Sequence, residues 1–205
     1  MKNRHLLFAI CVFLGITNTF AQEKKETIVG GFEYGDKYVS GGVNYTSSKS
    51  SLSSETLDSY QFSPAFGYFV TDHIAIQTTL SIGAAEKEDY YYSDGNYYSN
   101  YTDKTETLGV QLESIYFFTP SKQFSFLLSS GFGYYQEKSK YSEAKAFVIF
   151  VYPGINYFLT ENFNVKASVG SLQYGSTTID DSDPSTVFNL NINLSSLNFS
   201  LGYTF

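Results

Sequence analysis

The sequence predicts an all-β fold, an eight-stranded antiparallel up-and-down transmembrane β-barrel. Three observations predict it: apolar and polar residues alternate along most of the chain, its connections alternate between short and long, and an export signal precedes the strands. Alternation with a period of two is typical of a β-strand that has one face in an apolar medium. No helical period of comparable strength is visible, so the chain is expected to fold as one sheet.

Residues 1–21 have the parts of a cleaved secretory signal peptide. Two basic residues near the start are followed by an apolar run over residues 6–16, and small residues lead up to a cleavage site after Ala21. The run is too short for a membrane helix, which needs about 20 residues. We therefore expect residues 22–36 to be the N-terminal segment of the mature chain. Three roles stay open for it: a pre-strand, a short periplasmic segment or part of a plug.

Composition and charge exclude several classes of protein. Tyr and Phe supply 19 residues each, charged residues make up 16% of the chain, and the mean hydropathy is -0.17. A bundle of membrane helices needs long apolar runs and a disordered chain has few aromatic residues, so neither fits. The mature chain carries 11 lysines against 20 carboxylates, a formal charge of -9, whereas nucleic acid requires a basic surface. We expect no nucleic-acid partner and, without a mature cysteine, no disulfide.

The alternating segments account for eight strands in chain order. In the third of them Ile74, Ile76 and Leu80 share one face, while Gln77 and Ser81 lie on the other. The remaining segments alternate in the same way. The eight segments are 39–45, 60–70, 74–84, 108–116, 124–134, 147–159, 163–169 and 188–205.

The connections fix the architecture. Three are short, four are longer and polar, and the two kinds alternate, which places all short turns at one end of an antiparallel sheet. The short ones are 71–73, 119–123 and 160–162, and the long ones lie near 47–58, 86–104, 138–145 and 175–187. Two further strands at the N-terminus would keep an even number, but eight is the better count.

The distribution of charge predicts that the apolar face points outward. The other face is rich in Gly, Ser, Thr, Gln and Asn, which are small enough for the interior of an eight-stranded barrel. Glu113 and Lys166 are the clear charged residues within the strands, and both lie on the polar face. A lysine on the lipid face near the midplane costs about 2–4 kcal/mol, so a bilayer enforces this segregation.

Two local features refine the barrel. Residues 63–72 resemble residues 152–161, and residues 116–119 repeat the end of that motif, so that aromatic residues precede each short turn, as in a membrane interface belt. In the last strand the apolar positions change from even to odd numbers. This change predicts a β-bulge or irregularity at Ser195 and Ser196, since one inserted residue exchanges the two faces.

Together, the signal peptide, segments 64–71 and 153–160 and the C-terminal strand 197–205 resemble the small outer-membrane β-barrels of Gram-negative bacteria, the group that includes the barrel domains similar to outer-membrane proteins A and X. The resemblance covers a barrel domain at residues 37–205. It implies a location in the outer membrane, contact with its lipid, and a C-terminal signal read by the barrel-assembly machinery, carried here by Tyr203 and Phe205. We expect a monomer.

Two groups of residues are candidate sites. Glu113 and Lys166 either form an ion pair that closes the lumen to ions or are two unrelated polar positions. A tyrosine-rich loop has Asp94 and Gly95 at a tight turn, which would place two tyrosine pairs across a hairpin that protrudes from the barrel. This loop is either an extracellular contact surface for an unknown ligand or a stiff but passive loop. Its tyrosines are Tyr90, Tyr91, Tyr92, Tyr97, Tyr98 and Tyr101.

The sequence favours a non-enzymatic barrel with a filled or narrow lumen, acting as a structural protein or through surface contacts of its loops. The alternatives are a small pore for passive diffusion, a soluble lipid-carrying barrel and an outer-membrane lipid-modifying enzyme. The only mature histidine, His73, lies in a short turn at the end opposite the long loops, away from outer-leaflet lipid. We expect no catalytic residue, no cofactor and no metal; the acidic run 180–183 lacks the spacing of a calcium loop.

Overall fold

The computed structural model describes residues 30–49, 56–93, 96–180, 182–191 and 197–205. The predicted signal peptide, residues 1–21, lies outside these ranges, and so do residues 22–29. Within the described part of the chain, no helix is long and apolar enough to cross a membrane.

Ten β-segments make up the described fold, and every pairing between them is antiparallel. They are β1 (Lys37–Lys49), β2 (Thr56–Phe69), β3 (Ile74–Ser93), β4 (Asn96–Phe117), β5 (Phe124–Lys138), β6 (Glu143–Phe158), β7 (Phe163–Val169), β8 (Ser171–Ile179), β9 (Ser185–Asn191) and β10 (Leu197–Thr204).

The segments close into an eight-stranded barrel, as the sequence predicts. β1 to β6 pair in chain order, and β6 pairs with both β7 and β8, which form one wall strand interrupted at Gly170. β8 pairs with β9, and β7 pairs with β10. The ladder between β10 and β1 closes the sheet, from Tyr38 opposite Thr204 to Gly41 opposite Leu201. Along these four pairs closure removes the free sheet edges that lipid does not tolerate.

The barrel is apolar outside and polar inside. Outward positions on every wall strand carry large exposed side chains such as Phe62, Leu80 and Phe132. Inward positions carry Gln77, Ser129 and other polar or small residues that are buried. This confirms the predicted arrangement, in which the apolar face meets lipid.

The seventh wall strand exchanges its faces at Gly170. Phe163 is exposed on β7 at an odd position, whereas Leu172 and Tyr174 are exposed on β8 at even positions. Gly170 lies between them with φ +74, a conformation that glycine adopts without strain. Opposite β6, three residues on this strand face two, which defines a β-bulge. The bulge predicted at Ser195 and Ser196 in the following strand lies outside the described residues.

Two of the three short turns share one capping pattern. In the turn after β2, the Thr71 hydroxyl accepts a hydrogen bond from the backbone N–H of Ile74 at 2.9 Å. In the turn after β6, Thr160 accepts the equivalent bond from Phe163 at 3.0 Å. We call this end of the barrel the turn end, and the opposite end the loop end.

Candidate functional site

The turn end of the lumen is filled by an aromatic plug. Residues 30–36 contain no strand; they lie across the turn end, where the backbone N–H of Phe32 donates to the carbonyl of Pro120 at 2.8 Å. The Phe32 ring is 1% exposed and is surrounded by four aromatic rings at centroid distances of 4.5–5.6 Å. Those rings belong to Tyr38, Phe69, Phe117 and Phe158, and together with Phe32 they form what we call the plug.

The internal sequence repeat supplies three of the plug residues. Phe69, Phe117 and Phe158 are each the last residue of a strand, and each is fully buried. The tyrosines that precede Phe117 and Phe158 point outward and are exposed. The sequence interpretation placed all these aromatic residues in an interface belt. The structure divides them, because successive residues of a strand point to opposite faces.

A polar layer lies directly above the plug, and its centre is Gln77. The Gln77 side-chain oxygen accepts hydrogen bonds from the Tyr38 hydroxyl at 2.9 Å and from Lys166 Nζ at 2.7 Å. Its nitrogen donates to Glu113 Oε1 at 2.6 Å and to Thr79 Oγ1 at 3.2 Å. All the hydrogen-bonding capacity of this buried amide is therefore used.

Glu113 and Lys166 are both buried in this layer, and they are joined through Gln77. Lys166 Nζ also lies 4.6 Å from the centre of the Tyr38 ring, within cation–π range. The second carboxylate oxygen of Glu113 accepts a hydrogen bond from the Tyr152 hydroxyl at 2.9 Å. The structure thus brings the two predicted residues into one network in which a neutral amide separates the charges. We call Gln77, Glu113, Tyr152 and Lys166 the polar layer.

Above the polar layer the lumen holds a cavity of about 690 Å³. Its lining includes Glu113 and Lys166 but none of the phenylalanines of the plug, and its floor is formed by the polar layer together with Ile115 and Leu127, which are buried with the plug residues. The other polar lining residues are uncharged amides and hydroxyls. Among them are Ser40, Asn44, Gln61, Gln111, Gln173 and Asn198.

The tyrosine-rich segment is a hairpin, as the sequence predicts. Its ladder pairs Tyr91 with Tyr98 and Tyr92 with Tyr97, as expected, and the register shifts between Asp89 and Tyr90. The turn at Asp94 and Gly95 lies outside the described residues. At the base of the hairpin Lys104 Nζ contacts Glu106 Oε1 at 2.9 Å, and this hydrogen bond raises the pKa of Lys104 and lowers that of Glu106.

Three other residues singled out by the sequence lie at the turn end. The His73 ring nitrogen Nδ1 is 2.8 Å from the carbonyl oxygen of Phe117, and the ring stacks on Tyr116. Tyr203 and Phe205 both point outward beside the closing ladder, with Tyr203 edge-on to Phe163. Among the described residues no three His, Cys, Asp or Glu side chains are grouped as a metal site.

Residues missed by the sequence interpretation complete the lumen. Phe32, Tyr38, Gln77 and Tyr152 were not singled out, although each makes a central contact there. The inward position of Gln77 follows from alternation alone, but its partners come from three other wall strands. Only the closed sheet brings them together.

The sequence as a whole matches the family described as outer membrane protein beta-barrel domain over residues 8–205. The chain therefore belongs to this family of outer-membrane barrels, which places it in the outer membrane of a Gram-negative bacterium. No curated protein matches the chain.

Comparison with solved structures finds outer-membrane proteins of low sequence identity, of which OprG supports the same fold. The outer membrane protein OprG from Pseudomonas aeruginosa is 13% identical with a TM-score of 0.52, and the match covers 86% of this chain and 99% of that one. The N-terminal β-barrel domain of Pseudomonas aeruginosa OprF is 15% identical with a TM-score of 0.46, covering 84% and 98%. Neisserial surface protein A is 12% identical with a TM-score of 0.43, covering 82% and 97%.

Proposed function

We propose that this protein is a non-enzymatic, non-conducting outer-membrane barrel that holds the β3–β4 hairpin outside the cell as a contact surface. The observation that carries the proposal is the plug around Phe32. A conducting barrel needs a continuous aqueous path, and this lumen has two obstacles in series. Short turns of such barrels face the periplasm, so the plug closes the periplasmic side.

The plug and the polar layer oppose solute passage in different ways. At the turn end four buried aromatic rings pack around Phe32 and fill the centre of the lumen. Above them Gln77, Glu113 and Lys166 occupy the cross-section and satisfy one another, so a passing solute would have to break several buried hydrogen bonds. Apart from Phe32, the side chains of both obstacles are held by strands, which supports a permanently closed lumen.

The hairpin supports the contact role because it extends far beyond the lipid-facing band. The last large apolar pair on these strands is Ile82 opposite Leu108, and the ladder continues to Ser93 opposite Asn96. A paired ribbon loses less conformational entropy on binding than a flexible loop does. Tyr, Ser, Gly and Asn, which dominate its tip, are also typical of protein contact loops.

Conductance measurements test the closed lumen. The mature chain, residues 22–205, is refolded into lipid vesicles, and ion flux is compared with that of empty vesicles. We expect no steady flux, and we expect flux to appear when removal of residues 22–36 is combined with Glu113→Gln. Steady, solute-dependent currents through the unmodified protein would favour the pore and defeat the closed barrel.

Surface retention tests the hairpin. Cells that produce the protein are incubated on polystyrene and then washed. The fraction of cells that stays bound is compared with that of cells producing a variant in which the six hairpin tyrosines are replaced by serine. We expect retention to fall by at least fivefold. The matched control replaces Tyr45 and Tyr141, which are exposed elsewhere, and should retain normally. Equal retention by the hairpin variant and the wild type would remove the contact role while leaving the closed lumen untouched.

The enzyme alternative has little chemical support in the described residues. His73 is held at the turn end by the carbonyl of Phe117, remote from outer-leaflet lipid. The carboxylate of Glu113 is engaged by Gln77 and Tyr152. Release of acyl chains from phospholipid by the refolded protein, lost on His73→Ala, would revive this alternative.

A further inference from the structure

The ladder that closes the barrel stops part of the way up the wall. β1 and β10 pair over residues 38–41 and 201–204. Among the described residues above that ladder, 42–45 on β1 and 197–200 on β10 have no backbone pairing with each other. β1 remains paired with β2 as far as Lys49, and β10 remains paired with β7 as far as Leu197. The two strands therefore diverge, and we call the space between them the seam.

Side-chain exposure marks the same place. Val43 is 78% exposed and Phe199 is 63% exposed, whereas Phe62 and Ile82, on continuous ladders, are 51% and 50% exposed. An outward side chain in a continuous sheet is partly covered by its neighbours on both sides. Val43 has the largest exposed fraction among the large apolar side chains of the described wall, which fits a missing neighbour on the β10 side, whereas Phe199 is no more exposed than Leu201 inside the closing ladder.

The lumen cavity reaches the outside of the barrel through the seam. Its lining includes inward residues of β1 and β10, Asn44 and Asn198, and also the outward residues Val43 and Phe199. Val43 and Phe199 belong to the stretches of β1 and β10 that have no pairing with each other, so the cavity extends to this gap in the ladder. At Gly42 the two strands are still close, because a Cβ built there would lie 3.2 Å from the carbonyl oxygen of Phe199, so they separate above this residue.

The seam lies at the level of the apolar band. Val43 is paired with Phe62, and Phe62 with Ile82, and all three are exposed apolar side chains on the lipid face. Backbone N–H and C=O groups that lack a partner at this depth need hydrogen bonds from something other than lipid tails. The occupant of the seam must therefore offer polar groups towards the lumen and an apolar surface towards the membrane.

We propose that the seam and the lumen cavity form a binding site for a neutral, single-chain amphiphile taken from the surrounding lipid leaflet. Its polar end hydrogen-bonds to the amides and hydroxyls of the cavity, and its chain leaves through the seam against Val43 and Phe199. The head is uncharged because the charged residues among the described lining, Glu113 and Lys166, are already linked through Gln77. The cavity volume of about 690 Å³ falls within the rough range of 300–1,000 Å³ of small-molecule sites. The site is independent of the hairpin.

The test uses a monoacylglycerol with a photoreactive diazirine chain, added to phosphatidylcholine nanodiscs that hold the refolded mature chain. Crosslinked peptides are mapped by mass spectrometry, with unlabelled monomyristoylglycerol as competitor. We expect saturable labelling of the peptides around Val43 and Phe199. Myristic acid, which has a charged head, should compete at least tenfold less well. Equal competition by the two molecules would overturn the neutral head group.

Closing the seam supplies the decisive comparison. In the variant Asn44→Cys/Asn198→Cys the two cysteines continue the register of the closing ladder, and the mature chain has no other cysteine. Oxidation should reduce the saturable labelling at least tenfold, and reduction should restore it. The control Thr78→Cys/Leu112→Cys joins an outward pair on a continuous ladder and should label normally in both states. Labelling that is the same before and after oxidation contradicts the site.

A second variant covers the case in which the disulfide does not form. Gly42→Phe places a large side chain in the cavity lining beside the seam and should also abolish saturable labelling. The control Gly175→Phe changes an inward position outside the cavity lining and should label normally. Even, non-saturable labelling of all lipid-facing strands overturns the proposal. So does a disulfide dimer formed by Asn44→Cys alone, because a second copy of the chain would then occupy the seam.

Discussion

The two ends of this barrel differ in how completely they are closed. At the turn end the wall is laddered all the way round, and Phe69, Phe117 and Phe158 pack against Phe32 with no exposed surface of their own. At the loop end the ladder between β1 and β10 is missing, and Val43 keeps most of its surface exposed. One sheet therefore combines a sealed, well-packed end with an open, loosely covered one.

The contrast shows that sheet closure and lumen closure are separate properties. Four backbone pairs are enough to join the first and last strands, and the lumen is sealed by side chains from the other strands and the N-terminal segment. Stability should therefore be concentrated at the turn end, and substitutions there should cost most.

The largest effect is expected from removing the centre of the plug. Phe32→Ala leaves a cavity among four aromatic rings, so we expect a loss of about 3–5 kcal/mol in the free energy of unfolding. Urea denaturation in lipid vesicles, followed by the mobility shift between folded and unfolded forms, measures it. Phe132→Ala, on the lipid face, is the control and should cost clearly less, since lipid fills the space. Equal losses would mean that the plug is not a packed core.

The next effect concerns the polar layer. Gln77→Leu keeps the volume but leaves Glu113 and Lys166 without their common partner, so we expect a loss of about 3 kcal/mol. Gln61→Leu is matched to it, because Gln61 also faces the lumen but makes only a long contact of 3.4 Å to Ser63. That control should change stability by less than about 1 kcal/mol. If both variants unfold alike, the network does not stabilise the barrel.

A smaller effect is expected where the Tyr38 ring lies on a glycine. A Cβ at Gly67 would overlap the Tyr38 ring, so Gly67→Ala must displace a side chain shared by the plug and the polar layer. We expect a loss of about 1–3 kcal/mol from overpacking. At Gly175 a Cβ meets its nearest atom at 3.6 Å, and Gly175→Ala should be neutral or slightly stabilising in the same denaturation assay. A neutral Gly67→Ala would show that Tyr38 is free to move.

The smallest effect is local. Along residues 42–45, every second backbone amide points to the seam, and the amides between them are bonded to β2. We expect hydrogen exchange by NMR to show low protection at the seam-facing amides and high protection at residues 38–41. Equal protection of the amides of residues 38–45 in nanodiscs without added amphiphile would mean that the seam-facing amides are bonded to another backbone, which contradicts an open seam.

The fold can be predicted well from the sequence because each strand is indicated by residues that are close together in the chain. Alternation at Ile74, Ile76 and Leu80 identifies a strand, and the placement of Glu113 and Lys166 on the polar face identifies the lumen side. The pairing of Tyr91 with Tyr98 follows from the turn position between them. Each of these inferences needs only the spacing of residues along one or two neighbouring strands.

The remainder of the candidate site could not be read in this way. Phe32 packs on residues from β2, β4 and β6, and nothing in its own spacing indicates those partners. The bulge predicted at Ser195 and Ser196 lies outside the described residues, and the sequence interpretation did not expect the bulge at Gly170 in the strand before it. The seam is likewise invisible in the alternation, because Val43 and Phe199 have the same pattern as lipid-facing residues in a continuous sheet.

The short closing ladder has a consequence for how the chain folds. Its four pairs join residues from the two ends of the barrel sequence, such as Tyr38 and Thr204, whereas most other ladders join strands that follow each other in the chain. Contacts of such long sequence separation form late, since the entropy of closing the intervening chain must be overcome first. We therefore expect the folding pathway to end with this junction. Because this ladder has only four residue pairs, we expect it to break first on unfolding. Unfolding would then begin at the junction that forms last during folding.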